Sequence, residues 1–213
     1  MSVFITGANR GIGLELANTY RAAGETVYAT SRSAGNGFLQ LDVTDPIAQK
    51  QVAAQVNGPL DLLICNAGVY LEKGDRLEDG YAPQLWADSF ATNVTGVFLT
   101  VQALLPQLRA AKGKIAIISS QMGSDTRALG GSYIYRASKA AVLNLGRNLA
   151  VDLAADAIAV GIYHPGWVQT DMGGAEASIT VAQSAKGLVA RFAHLSRATT
   201  GCFETYDGTP HPF

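Results

Sequence analysis

The sequence predicts an α/β protein in which a doubly wound parallel sheet of about seven strands is covered by helices on both faces. Short apolar runs alternate with helical patterns along the chain, which is typical of parallel sheets with right-handed crossovers. The 213 residues are 48% hydrophobic and 15% charged, with 23 glycines, a balance that suits a sheet buried on both faces. Because no repeat or linker interrupts the pattern, we expect one Rossmann-type domain spanning residues 1–213.

The individual strands are predicted from apolar runs bounded by turn residues, and the helices from apolar positions three and four apart. The strands span residues 2–6, 26–30, 38–43, 60–65, 114–119, 158–164 and 201–207, and the helices span 11–24, 45–56, 83–110, 135–153 and 180–195. Pro46 suits the first turn of its helix, whereas Pro106 is expected to kink or end part of its own. In such a sheet the ligand lies at the carboxyl ends of the strands.

Composition and charge argue against several classes of partner. The net charge of −1 provides no basic footprint for nucleic acid and no polybasic membrane anchor. No apolar stretch approaches the length of a membrane span, and the first strand starts too early for a cleaved signal, so we expect a cytoplasmic protein. The two cysteines, Cys65 and Cys202, have no metal or disulfide spacing and are expected to be buried reduced thiols.

A glycine-rich turn, TGANRGIG, follows the first predicted strand and places glycines at Gly7, Gly11 and Gly13. Glycine permits a tight turn and lets the backbone approach a pyrophosphate at a helix N-terminus. The alternative is a strand-to-helix turn that binds nothing. Because the glycine-rich turn lies between the first strand and the first helix, we favour the dinucleotide site.

The second strand ends with Ser31 and Arg32, where an NAD site usually carries an acidic residue for the ribose 2′-hydroxyl. Arg32 and Arg10 of the glycine loop could grip a 2′-phosphate, because guanidinium geometry suits phosphate. Two solvated surface arginines are the alternative. We expect NADP(H) as the cofactor rather than NAD(H).

Tyr135 and Lys139 are four residues apart and fall on one face of a predicted helix. A neighbouring ammonium stabilises a phenolate and lowers the phenol pKa, so the tyrosine could exchange a proton with an alcohol or alkoxide. Tyr133 has no lysine at the same offset and is expected to be a wall of the pocket. A chance pair on an amphipathic helix is the alternative.

Several motifs in order resemble the short-chain dehydrogenase/reductase family over nearly the whole chain. TGANRGIG resembles TGxxxGxG, CNAG resembles NNAG with Cys65 in place of its first asparagine, and YRASK resembles YxxSK. Asn93 and the segment PGWVQTDMGG match further family positions. The form SSQMGS followed by GGSYIYRASKAA resembles the carbonyl-reductase branch that includes sniffer and the bacterial C-factor proteins.

This resemblance implies a catalytic set and a set of cofactor-binding positions, and it implies no metal. In the catalytic set, Tyr135 would be the acid/base and Ser120 would hold the substrate oxygen. Lys139 would lower the pKa of Tyr135 and bind the nicotinamide ribose. Asn93 would hold a water in a proton relay to Lys139. The cofactor-binding positions are Gly7, Asn9, Arg10, Gly11, Ile12, Gly13, Ser31, Arg32, Asp42, Val43, Asn66, Ala67, Gly68, Tyr135, Lys139, Pro165, Val168 and Thr170. Because the loop before Tyr135 has two extra residues, Ser119 stays open as an alternative to Ser120.

We therefore expect an NADP(H)-dependent oxidoreductase acting on a small carbonyl or secondary-alcohol substrate, and a homodimer or homotetramer. The alternative is a cofactor-binding sensor or C-factor-like signalling protein with little or no turnover. The short stretch after PGWVQTDMGG suggests a small lid and an open pocket. Its expected walls are Gln121, Met122, Tyr133 and Trp167.

Overall fold

A seven-stranded, fully parallel sheet forms the centre of the molecule. The computed structural model describes residues 1–213. The strands are β1 (Ser2–Ile5), β2 (Thr26–Ser31), β3 (Leu39–Gln40), β4 (Leu62–Cys65), β5 (Lys114–Ile118), β6 (Ala159–His164) and β7 (Phe203–Thr205). Their order in the sheet is β3-β2-β1-β4-β5-β6-β7, with parallel pairing throughout. The predicted fold class is confirmed.

Six α-helices cover the sheet: α1 (Gly11–Ala22), α2 (Pro46–Ala53), α3 (Pro83–Phe90), α4 (Gly96–Ala111), α5 (Tyr133–Asp152) and α6 (Val181–His194). The single helix predicted over 83–110 is wrong in one respect, because a π-helical turn at Ala91–Thr95 separates α3 from α4. Pro106 lies inside α4 and does not end it. None of the helices is long and apolar enough to cross a bilayer.

Alternate residues of the central strands pack into two hydrophobic cores, one on each face of the sheet. Phe4, Leu63 and Ile117 point into one core, whereas Ile5 and Ile64 point into the other. Each is 0% exposed, and burying one such side chain stabilises the fold by about 1.5–3 kcal/mol. Burial on both faces explains why the strands read as continuous apolar runs.

The strand order reverses between β1 and β4, because the chain first builds outward through β2 and β3 and then returns. A crevice forms at such a reversal, beyond the carboxyl ends of the strands. The loops that follow β1, β4, β5 and β6 all lie at this edge. Thr6 N donates to Ile64 O at 3.1 Å and Ser119 N donates to Tyr163 O at 2.8 Å, so neighbouring strands enter these loops in register.

Candidate active site

The glycine loop gives the backbone access to the amino end of α1. Gly7 and Gly11 have φ of 64° and 54°, the left-handed region that favours glycine. At Gly13 a Cβ would overlap the Gly7 carbonyl oxygen and lie 2.5 Å from Asn66 Nδ2. No side chain caps α1, so its first N–H groups can receive an anion.

The loop after β4 is tied directly to the glycine loop. Asn66 Nδ2 donates to the carbonyl oxygens of Thr6 and Gly7, both at 3.0 Å, and Ala67 N donates to Thr6 Oγ1 at 3.0 Å. Ala67 lies against Gly7, where a Cβ would be 3.0 Å from its Cα. The two loops are therefore joined along one side of the crevice. Cys65 is buried beside them, and burial raises the pKa of its thiol to about 12.

The residues expected to select the coenzyme lie at the end of β2. The Ser31 hydroxyl is buried and donates to Ser33 O, whereas Arg32 is exposed. Asp42 lies close enough that the Arg32 charge adds to the lowering of its pKa, which is caused mainly by hydrogen bonds from Thr44.

Arg10 is engaged in a contact that the sequence did not indicate. Its Nη1 lies 2.5 Å from Asp171 Oδ2, and both side chains are exposed. The ion pair links the glycine loop to the segment after β6. Because exposed ion pairs contribute little, Arg10 can exchange this partner for an anionic ligand at small cost.

Tyr135 and Lys139 lie on the buried face of α5, with 8% and 6% of their surfaces exposed. Lys139 Nζ is 5.5 Å from the Tyr135 ring centroid and donates to Ile118 O at 3.1 Å. Burial lowers the pKa of Lys139 to about 8. Burial also raises the pKa of Tyr135, while a hydrogen bond with Ser120 acts in the opposite direction. The expected lowering of the Tyr135 pKa by Lys139 is not observed, because burial has the largest effect on this group.

The two serines after β5 have different surroundings. Ser119 Oγ donates to Lys139 O at 3.0 Å and is fully buried, so it joins the loop to α5. Ser120 Oγ accepts from Met122 N at 3.1 Å and lies at the Tyr135 hydroxyl. Of the two alternatives, the geometry favours Ser120 as the hydroxyl that would meet a substrate oxygen.

Asn93 sits in the π-helical turn and binds the backbone of the loop after β4. Its Oδ1 accepts from Val69 N at 2.8 Å, and its Nδ2 donates to Val69 O at 2.9 Å and to Ser138 Oγ at 3.0 Å. A Cβ on Gly68 would lie 3.3 Å from Asn93 Oδ1 and 3.5 Å from Lys139 Nζ. Gly68 therefore leaves a space between the asparagine and the lysine.

The segment after β6 closes the other side of the crevice. Thr170 lies against the glycine loop, where a Cβ on Gly11 would be 3.4 Å from Thr170 Cγ2. Val168 is buried and pairs with Ile179. Pro165 O accepts from Ser184 Oγ at 2.6 Å. Thr170 therefore joins this segment to the glycine loop.

The expected pocket walls divide into two groups. Gln121 and Trp167 line a polar cavity of about 340 Å³ together with Arg127, His164 and His211. Burial lowers the pKa of His164 to about 4, so this imidazole is neutral. Met122 and Tyr133 are not among the residues of this cavity.

Three residues at this site were missed by sequence reasoning. The Tyr70 ring stacks on Tyr135 with centroids 4.5 Å apart. Glu72 Oε1 accepts from Tyr135 N at 2.6 Å, and Ser138 Oγ donates to Tyr135 O at 2.8 Å. Ser138 lies within YRASK and could have been noticed there. Glu72 had only the weak signal of an acidic residue in the apolar stretch GVYLE.

The chain is similar to a known protein family and to solved structures of carbonyl reductases. A family model described as short chain dehydrogenase matches residues 1–179. C-signal from Myxococcus xanthus is 38% identical over 161 residues, covering 73% of this chain and 94% of that protein. The carbonyl reductase Sniffer of D. melanogaster has a TM-score of 0.94 at 29% identity, covering 100% of this chain and 99% of that one. The NADPH-bound carbonyl reductase from chicken fatty liver has a TM-score of 0.90 at 29% identity, covering 100% and 98%.

These matches confirm the family resemblance drawn from the motifs and its carbonyl-reductase-like branch. The family model spans most of the chain, and the two carbonyl reductase structures share the fold over its whole length. The chain belongs to the short-chain dehydrogenase/reductase family of oxidoreductases.

Proposed function

We propose that the protein is an NADP(H)-dependent oxidoreductase that transfers a hydride between the nicotinamide and a carbonyl or secondary-alcohol substrate, with Tyr135 as acid/base. The observation that carries this proposal is the grouping of the Tyr135 hydroxyl, Ser120 and Lys139 at the carboxyl end of β5. The glycine loop follows β1 at the same edge of the sheet.

The residues present fit a bound dinucleotide. The glycine loop would take the pyrophosphate on the amino end of α1, and Asp42 and Val43 would lie beside the adenine. Asn66, Ala67 and Gly68 would border the nicotinamide ribose with Lys139, and Pro165, Val168 and Thr170 would contact the nicotinamide end. A bound nicotinamide would supply the hydride from its C4, a transfer that needs no metal.

During carbonyl reduction, the Ser120 and Tyr135 side chains bind and protonate the oxygen atom of the substrate. Ser120 donates a hydrogen bond to the carbonyl oxygen, which orients the carbonyl and stabilises the charge that develops on it. As the carbon receives the hydride, Tyr135 gives its phenolic proton to that oxygen, leaving an alcohol and a phenolate. Lys139 stabilises the phenolate, and Asn93 supports a water through which the proton is replaced. Alcohol oxidation is the reverse.

Preference for NADP(H) rests on Arg32 and Arg10. Arg32 is exposed at the end of β2 without an ion-pair partner, and no acidic residue occupies the position that would bind the 2′-hydroxyl of NAD(H). The NADPH-bound carbonyl reductase from chicken fatty liver supports this choice.

Arg32→Ala tests the coenzyme and the reaction together. Oxidation of NADPH and of NADH is followed with a panel of aldehydes and ketones, for the wild type and for the variant. We expect the wild type to use NADPH, and the variant to bind NADPH about tenfold more weakly or worse while NADH binding is unchanged, because a charge-assisted hydrogen bond is lost. Equal loss for both coenzymes would contradict the role of Arg32. Absence of turnover with every carbonyl would contradict the proposed reaction.

The second candidate is a coenzyme-binding signalling protein with little or no turnover, which the 38% identity to C-signal favours. Binding of NADPH without oxidation by any carbonyl would support it. The presence of all four catalytic residue types favours the enzyme.

We also propose a cytoplasmic homodimer or homotetramer in which α4 and α5 pair across a two-fold axis. Phe98 on α4 is 43% exposed and Val151 on α5 is 75% exposed, which supports a contact on these helices.

A further inference from the structure

The segment from Val69 to Lys73 lies over the amino end of α5 and is held there at several points. Tyr70 stacks on Tyr135, and its hydroxyl is hydrogen-bonded to Ser132 Oγ. Lys73 Nζ donates to Met172 O at 3.0 Å, which links the segment to the loop after β6. The Asn93 side chain accepts from the backbone N–H of Val69 and donates to its carbonyl oxygen. The segment therefore connects three sides of the site.

Within this segment, Glu72 makes the contact nearest to the acid/base residue. It is 1% exposed, and its Oε1 accepts from Tyr135 N at 2.6 Å. Ser132 precedes α5 but its side chain does not cap the helix. Glu72 therefore takes the place of a local cap, from 63 residues away in the chain.

The other carboxylate oxygen, Glu72 Oε2, is buried without a hydrogen-bond partner. No lysine, arginine or histidine forms an ion pair with this carboxylate. A buried, unpaired carboxylate is costly. The helix N-terminus and the Tyr135 N–H offset part of that cost, and a residue kept solely to cap a helix needs no buried charge, since a neutral acceptor would serve.

The surroundings of the Tyr135 hydroxyl show what this charge can do. From the segment after β4, Tyr70 stacks on the Tyr135 ring and Glu72 binds the Tyr135 backbone N–H. Ser120 lies beside the hydroxyl from the loop after β5, and Met172 Sδ in the loop after β6 is 4.0 Å from it. Lys139 faces it from α5 itself. Burial is the largest cause of the raised pKa of Tyr135; Tyr70 and Glu72 act in the same direction and Ser120 opposes them. Glu72 is therefore a charged group that favours the protonated phenol.

We propose that Glu72 is a positioning residue that holds the first turn of α5 in place and, through its charge, keeps the Tyr135 hydroxyl in its protonated form. The proposal rests on the acid/base role of Tyr135. Carbonyl reduction consumes that proton, so Glu72 extends the pH range in which reduction can proceed. Lys139 acts in the other direction and stabilises the phenolate after the transfer.

The experiment separates the charge of Glu72 from its hydrogen bond. Glu72→Gln keeps an oxygen that can accept from Tyr135 N but removes the charge. Glu78→Gln is the matched control, because Glu78 is an exposed glutamate on the same connection between β4 and α3. Tyr135 is replaced in each protein by a difluorotyrosine, whose phenol ionises at a lower pH, and its ionisation is followed by ¹⁹F NMR without substrate or coenzyme.

We expect the fluorophenol to ionise about one pH unit lower in Glu72→Gln than in the wild type, with Glu78→Gln unchanged. In proteins with the natural tyrosine, kcat/KM for reduction should fall off at a correspondingly lower pH in Glu72→Gln. An unshifted ¹⁹F titration, or an equal shift in Glu78→Gln, would overturn the proposal. Because the NMR titration needs no turnover, a failure of the proposed reaction is seen separately, as an inactive wild type.

Discussion

At the scale of single residues, burial sets the protonation behaviour of the two groups on α5. It lowers the pKa of Lys139 to about 8 and raises that of Tyr135. Both groups are thereby moved toward their uncharged forms, because removal from water penalises a charge of either sign. The lysine still lies 5.5 Å from the phenol ring, so each can respond to a change of charge on the other.

The buried Lys139 predicts how stability depends on pH. The folded pKa of about 8 is below the ordinary 10.5, so between these values the unfolded chain binds more protons and stability rises with pH. Below about pH 8 the buried charge costs on the order of 3 kcal/mol. Lys139→Met removes this cost. We expect the melting temperature of the coenzyme-free wild type to gain on that of Lys139→Met as the pH is raised through this window.

The control is Lys50→Met, an exposed lysine on α2, which should follow the wild type at every pH. Thermal unfolding is measured by circular dichroism. Parallel curves for the wild type and Lys139→Met would mean that Lys139 is solvated as well in the folded protein as in the unfolded chain.

At the scale of elements, the site depends on how closely the turn after β5 packs on α5. The 3₁₀ turn Gln121–Gly123 follows directly on Ser120. At Gly123 a Cβ would lie 2.5 Å from the carbonyl carbon of Lys139 and 2.7 Å from its oxygen. These are backbone atoms of a packed helix, so an added methyl group cannot be accommodated by a side-chain rotation.

Gly123→Ala should therefore move the turn away from α5 and carry Ser120 with it. We expect the rate of carbonyl reduction to fall on the order of 100-fold, since a displacement of about 1 Å in a catalytic group has such an effect, together with a lower melting temperature. Gly130→Asn on the same loop is the control, because Gly130 has φ of 75° and open space around it, and asparagine tolerates that conformation. If Gly123→Ala were as active as the control, the close packing would not be what places Ser120.

At the scale of the whole molecule, the sheet and most helices could be predicted because their signals are local. Apolar runs such as LLIC and KIAII become strands that are buried on both faces. The edge strands β3 and β7 came out shorter than predicted, because fewer neighbours pair with them. Pro106 was a misleading signal, since α4 continues through it to Ala111.

In the candidate site, too, the residues with local signals could be predicted and the contacts between distant segments could not. Residues within short motifs, such as Tyr135 and Lys139, could be named from spacing and resemblance. Contacts between distant segments could not, because nothing local indicates them: Glu72 meets Tyr135 across 63 residues and Arg10 meets Asp171 across 161. The sequence could not tell whether Ser119 or Ser120 would meet the substrate oxygen. The structure favours Ser120, because the Ser119 hydroxyl is bound to the backbone of α5.

The most direct test of the central claim is the transfer of deuterium from NADPH labelled at both C4 positions of the nicotinamide to a carbonyl substrate. Product alcohol is analysed by mass spectrometry for the wild type and for Tyr135→Phe. We expect the wild type to give alcohol that carries deuterium on the former carbonyl carbon. Tyr135→Phe should bind NADPH as tightly but form this alcohol about 10²–10⁴-fold more slowly, because the proton donor is lost. Unlabelled alcohol, or equal rates from the two proteins, would contradict the account.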